Sequence, residues 1–268
     1  LAIVQAWRTK RSELVAGGER VLAAIEQQSA VAADAAPSDL SQDTLTAAFK
    51  AAGQRYDRVH GGWGTAPKFP QPMAIEFLLR YHNVTGDAFA LEMVTRTLDA
   101  MARGGIFDQV GGGFHRYSTD AEWLVPHFEK MLYDNALLSG AYLDAYRATG
   151  RHDYARVVRE TLDYVLAYMT DEQGGFHSTE DADSEGEEGK FYVWTVDEIN
   201  QVLGPERGAR FCYVYDVTDG GNVECRNILN LPKTFEQCAV AKGWDQDRLV
   251  AELAEVPRPQ LVAVEVVA

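Results

Sequence analysis

Cysteine is scarce and scattered: Cys212, Cys225 and Cys238 are an odd number, far apart and without C-x-x-C spacing. That excludes a local zinc clip or redox pair and predicts reduced, structural thiols. Long apolar runs are missing too. No stretch approaches the roughly eighteen residues of a membrane-spanning helix, and the opening LAIVQAWRTKRSELVAGG lacks a basic segment followed by a long apolar one. The expectation is a soluble, cytoplasmic protein with no membrane partner. Basic residues are outnumbered, 25 against 40 acidic, for a formal charge of −15. Such a field repels phosphate backbones and argues against nucleic acid as a partner. Apolar side chains, by contrast, make up 46% of the chain, enough to bury a substantial core as one large domain or two small ones.

Those apolar residues recur with helical period. Helices are predicted over residues 1–28, 43–56, 72–83, 87–102, 126–148 and 153–169, each bounded by Gly, Pro or Asp/Asn turns. The alanine-rich stretch 29–42 reads as a boundary. Residues 176–195, FHSTEDADSEGEEGKFYVWT, place aromatic and β-branched ends around an acidic turn, which predicts a β-hairpin or a long excursion between helices. Thr195-Val-Asp-Glu198 then has capping-box form and opens a further helix ending near Gly204-Pro205. Glycine pairs punctuate this pattern: GGWG at 61–64, GGIFDQVGGGFH at 104–115 and GGFH at 174–177. The last two stand at helix ends, where glycine takes the left-handed conformation that closes the final turn. One helical hairpin per repeat, stacked with the loops gathered at one end, is the simplest account.

Residues 104–138, GGIFDQVGGGFHRYSTDAEWLVPHFEKMLYDNALL, are the densest in chemistry. Asp108, His115, Arg116, Tyr117, Asp120, His127, Glu129, Lys130 and Asp134 alternate there with Phe107, Phe114, Trp123, Phe128 and Met131. That mixture describes a polar pocket with an apolar wall. Pro126 suits the first turn of a helix. A helix beginning there places His127, Lys130 and Asp134 at i, i+3 and i+7, on one face.

GGWGTAPKFPQP at 61–72, the 104–138 run, and GGFHSTEDADSEGEEGKFYVWT at 174–195 resemble the helical domain of the spermatogenesis-associated protein 20 and bacterial YyaL group. The resemblance covers about residues 1–231. It implies an all-α fold of antiparallel helical hairpins forming part of an (α/α)6 toroid, similar to six-hairpin glycosidases and sugar epimerases. It also implies that residues 1–30 are the C-terminal helix of a thioredoxin-like domain plus linker, and that this domain is a partner in the full-length protein. Residues 31–256 are then a partial toroid and 257–268 an atypical tail. Two departures stand out. Gly221-Asn-Val-Glu-Cys-Arg-Asn-Ile-Leu229 replaces an expected G-N-W-E-G-K-N-I-L run, and PRPQLVAVEVVA does not look like the next hairpin. A part-ring leaves apolar helix faces uncovered, which predicts association of the chain expressed alone.

Glycoside hydrolysis needs two carboxylates with separated pKa values, and Asp108 with Asp134 is the preferred pair. Asp120, Glu129, Glu180, Asp181 and Asp183 are the other acids available. Epimerisation asks for a proton shuttle, for which His115 and His127 serve, with His177 converging from the repeated GGFH. Asp108, His115, His127 and Asp134 are therefore the catalytic candidates. Arg116, Glu129 and Lys130 would hold polar groups of a carbohydrate-like substrate, together with His177, Asp181 and Asp183. Trp63, Phe114, Tyr117 and Trp123 could stack on the apolar face of a sugar ring. Asp181-Ala-Asp-Ser-Glu-Gly186 resembles the first half of a calcium loop, but the twelfth position is Tyr192 where a bidentate glutamate is required. It reads as a solvated acidic loop or a lid, and neither a metal nor a cofactor is expected. The competing reading is a non-catalytic binding or redox-linked module serving the thioredoxin-like domain.

Overall fold

The computed structural model describes residues 2–33 and 41–254. The chain divides into two compact units, Leu1–Thr46 and Ala47–Ala268. The first holds helices α1 (Ala2–Thr9) and α2 (Arg11–Ala33), so the predicted first helix breaks at Lys10 and runs on past residue 28. Ile3, Val4, Trp7, Leu14, Val21, Leu22 and Ile25 remain exposed along it. Part of the expected boundary, residues 34–40, and the whole atypical tail lie outside the described residues.

The second unit is built on helix pairs, as the hairpin expectation requires. Helix α3 (Gln42–Arg55) leads in; α4 (Pro72–Thr85) and α5 (Ala88–Arg103) form one pair, α6 (Leu132–Thr149) and α7 (His152–Tyr168) the next. Gly86 and Gly150 close α4 and α6 in the left-handed region, and Asp87 caps α5 by accepting from the amides of Phe89 and Ala90. Ile75, Leu78, Met93, Leu98, Leu138, Tyr142 and Tyr154 meet in the main core. Each such side chain contributes roughly 1.5–3 kcal/mol on burial.

Helix α8 (Val196–Val214) starts at the expected Thr195/Glu198 capping box. As expected, its first helical segment ends at Gly204-Pro205, where Gly204 has φ 75° and ψ 165°, and a second segment then runs on to Val214; Ile199 of the first and Phe211 and Val214 of the second pack in a separate core. Pro205 cannot continue the hydrogen-bond ladder but can open a new first turn. Helices α9 (Phe235–Lys242) and α10 (Gln246–Ala254) follow.

Short strand pairs tie the loops together. They are β1 (Tyr117–Ser118) with β2 (Pro126–His127), β3 (Lys130–Met131) with β4 (Thr179–Glu180), β5 (Asp183–Ser184) with β6 (Glu187–Glu188), and β7 (Val193–Trp194) with β8 (Asn227–Ile228), all antiparallel. The hairpin expected within 176–195 is thus the β5–β6 turn, while its ends pair elsewhere. Loops from successive helix ends interlock: Trp123 Nε1 donates to His60 O at 3.0 Å, Lys68 Nζ to Ala121 O at 2.8 Å, and Leu231 N to Arg103 O at 2.7 Å. The paired glycines make this close fit possible. A Cβ on Gly62 would lie 2.5 Å from Trp123 Cζ2, and one on Gly104 would lie 2.3 Å from Trp123 O.

Candidate functional site

The predicted helix at Pro126 is not there. Residues 126–131 are extended, because the strand pairings satisfy their backbone groups, and α6 begins only at Leu132. His127, Lys130 and Asp134 therefore do not share a helical face. Extended backbone sends successive side chains to opposite sides. His127 and Glu129 point outward with about a quarter of their side chains exposed, while Phe128 and Lys130 point inward and are buried. The same alternation holds next door. Lys68 and Ser118 exchange backbone hydrogen bonds of 2.8 and 2.9 Å and are buried, leaving Phe69 and Tyr117 on the outer side.

The inner side is a closed ionic network. Lys130 Nζ donates to Asp108 Oδ2 at 2.8 Å and to Gly112 O at 3.0 Å, and sits over the rings of Tyr164 and Tyr192 at 4.2 and 4.9 Å. Asp108 Oδ1 also accepts from the amides of Val110 and Gly111. Burial pushes the Asp108 carboxyl up, but the Lys130 charge, the Lys130 hydrogen bond and the Gly111 amide outweigh it and hold the group below its usual value. His115 is buried, with Nδ1 3.0 Å from Phe128 O, and burial together with Lys130 lowers its pKa to about 3. It is a neutral imidazole wedged edge-on against Phe128 and Tyr192. Glu180 accepts from Tyr164 and Tyr192 hydroxyls, each at 2.6 Å. A cavity of about 30 Å³ beside Asp108, His115, Tyr192 and Trp194 has room for a water or two, not for a sugar ring.

The outer side is accessible and carries acid–base groups. His127 stacks on Tyr117 at 5.0 Å, its Nδ1 lies 2.6 Å from Glu188 Oε1 and its Nε2 3.7 Å from Glu129 Oε2. Glu129 accepts from Arg116 Nη1 at 2.8 Å, and the Arg116 amide donates to Glu129 O at 2.8 Å. Beside this pair, in the first turn of α6, stands Asp134. Its Oδ2 is buried without a hydrogen-bond partner. Burial pushes the carboxyl up to about 6, opposed by the Arg116 charge and reinforced by that of Glu129.

The structure thus brings together Arg116, Tyr117, His127, Glu129 and Asp134 on one side of the strand, and Asp108, His115 and Lys130 on the other. Phe114 and Trp123 are fully buried core rings, the first stacked on Tyr142. Trp63 is half-buried, with Nε1 bonded to Ala52 O at 3.1 Å. No exposed face of Phe114 or Trp123 is left for a ligand. His177 follows α7, its amide bonded to Met169 O and its ring acting on Asp171. Asp181 and Asp183 are exposed at the β5–β6 hairpin. Sequence reasoning did not single out Phe69, Glu188 or Tyr192 as site residues. Phe69 lay in the quoted KFP triplet, and only the pairing of Lys68 with Ser118 reveals that it faces out.

No family model matches the chain. Human spermatogenesis-associated protein 20 is 37% identical over 276 residues, covering 91% of this chain and 35% of its own length. The mouse protein is 41% identical over 214 residues, 76% of this chain and 27% of its length. The chain spans about a third of the length of the curated relatives it matches. Similar solved structures include cellobiose 2-epimerase from Spirochaeta thermophila, at TM-score 0.47 and 18% identity over 52% of this chain and 39% of that one. A sugar epimerase from a ruminal bacterium has TM-score 0.46 and 15% identity over 80% of this chain and 67% of that one.

Proposed function

For a chain homologous to spermatogenesis-associated protein 20 over most of its length, we propose a part of an (α/α)6 toroid that handles a carbohydrate-like substrate by acid–base chemistry, with Asp134 as the acid. In this reading residues 1–30 are the last helix and linker of a thioredoxin-like domain, and the toroid begins near residue 31. One observation carries the choice of acid. Asp134 is a buried carboxyl with an unpartnered oxygen and a pKa of about 6, whereas Asp108 is locked to Lys130 and pulled the other way. A group still partly protonated near neutral pH can give its proton to a glycosidic or ring oxygen. His127, held between Glu188 and Glu129, is placed to accept one, and Arg116 to orient a hydroxyl.

The test is turnover of a panel of disaccharides followed against pH. Asp134→Asn lowers kcat by about a hundredfold or more with KM little changed, and wild-type kcat declines as pH rises through 6. Undiminished kcat in Asp134→Asn removes Asp134 from the chemistry. A second reading, a binding module for the thioredoxin-like domain, is favoured by the mutual saturation of Asp108, His115 and Lys130. It prevails if no sugar is bound or turned over.

A further inference from the structure

Two buried atoms of opposite character stand unpartnered in one cluster, Arg116 Nε and Asp134 Oδ2. The two charges act on each other, and an ion pair between them would satisfy both atoms at once. Glu129 is what the guanidinium pairs with instead. The Arg116 amide donates to Glu129 O at 2.8 Å and Nη1 to Glu129 Oε2 at 2.8 Å, so backbone and side chain are committed to the same partner. Tyr133, one residue before Asp134, holds the guanidinium as well. Asp134 itself is fixed in the first turn of α6, so a pair would form by movement of the long Arg116 side chain. The other charges nearby lie beyond Glu129: His127 Nε2 is 3.7 Å from its Oε2, and Glu188 stands at the far nitrogen of that ring.

We propose that Glu129 is a positioning residue: by gripping Arg116 it keeps that cation off Asp134 and leaves the buried Asp134 oxygen for the substrate. The proposal rests on the reading of Asp134 as the acid and names what keeps it one. An arginine drawn into contact lowers an aspartate pKa by about 1–3. Such a carboxyl is ionised at neutral pH and has no proton to give. Even unpaired, Arg116 acts on the Asp134 carboxyl more strongly than Glu129 does. Releasing the cation is therefore a larger change than deleting the Glu129 charge.

Carboxyl-carbon NMR of the full chain, isotope-labelled at aspartate, follows this titration directly, with the Asp134 signal assigned by its loss in Asp134→Asn. Wild-type Asp134 is expected to titrate at about 6. In Glu129→Leu, which cannot accept from Arg116, its pKa falls by about two. Glu129→Gln is as uncharged as leucine but still accepts a hydrogen bond, and it produces a clearly smaller fall. Adding Arg116→Gln to Glu129→Leu restores the high value, since no cation is left to pair with Asp134. Circular dichroism verifies that the variants fold. The proposal is overturned if Glu129→Leu leaves the titration unchanged, if Glu129→Gln lowers it by as much, or if the fall persists without Arg116. Failure here is separable from failure of the acid assignment: these titrations follow a proton on Asp134 with no sugar present, whereas Asp134→Asn reports on kcat.

Discussion

Asp134 shows what an unpaired buried carboxyl does to the molecule that carries it. Its folded pKa, about 6, lies above the usual value near 3.8, so the native state binds the extra proton between those limits. Stability from this group is complete below the unfolded pKa and is lost as pH rises through 6. Ionisation in the fold costs on the order of 1–2 kcal/mol once solvent screening is allowed for. Asp134→Asn, which cannot ionise, should therefore melt roughly 5 °C higher than wild type at pH 7.5 and show no such gain at pH 4. Calorimetry at the two pH values checks this, and an equal shift at both would place the cause in packing. Lys130 is the opposite case, a buried cation with every contact supplied. Lys130→Met leaves Asp108 charged and without its counter-ion, a loss of about 3–5 kcal/mol, whereas Asp108→Asn with Lys130→Met removes both charges and should recover much of it. Urea denaturation of the single and double variants measures the difference, and strictly additive losses would contradict the coupling.

At the level of elements, helices were legible wherever an apolar period of 3.6 ran between clear stops. Residues 72–83, 87–102 and 153–169 match α4, α5 and α7 within a few residues, and the Thr195 capping box marked the start of α8. The stretch PHFEKM was misread because a short run of alternating polar and apolar residues fits a helical face as readily as a strand. What decides it is pairing with Tyr117 and Glu180, 10 and 50 residues away, and a local pattern does not contain that partner. The error propagated to the site. It grouped His127 with Lys130, which the strand puts on opposite sides, and offered Phe114 and Trp123 as a floor although both complete the core. The departure noted at 221–229 does have a local meaning. Val223 bridges Arg226, and the intervening Glu224 and Cys225 both have positive φ, 46° and 63°, as a two-residue hairpin turn of mirror-image type requires. Cys225 stands where the resemblance leads us to expect glycine. Cys225→Gly should raise stability by about 1 kcal/mol by relieving left-handed strain, read as a shift of the urea midpoint. An unchanged or lower midpoint would show that the turn carries no strain there.

Across the whole molecule, burial is uneven. The second unit closes a core around Leu78, Leu98 and Tyr142, but Ile3, Val4, Trp7, Leu14, Val21, Leu22 and Ile25 stay exposed on α1 and α2 of the first. Within α2, Leu14, Val21 and Ile25 stand at i, i+7 and i+11, a spacing that gathers them toward one side of that helix, and Trp7 is exposed on α1 before it. Leu162, Leu166, Phe176 and Val240 add exposed apolar surface on the second unit. At neutral pH the formal charge of −15 opposes association through mutual repulsion, but salt screens that term within about 10 Å at 0.1 M and leaves apolar attraction untouched. Association should therefore grow with protein concentration and with salt, the reverse of what charge pairing would give. Sedimentation velocity at 20 and 500 mM salt, with a hydrophobic dye in parallel, tests this. The triple variant Trp7→Gln, Leu14→Gln, Val21→Gln should shift the population toward monomer if α1 and α2 supply the contact. If instead the wild type is monomeric at both salt concentrations and binds no dye, the exposed stripe is too discontinuous to drive self-contact.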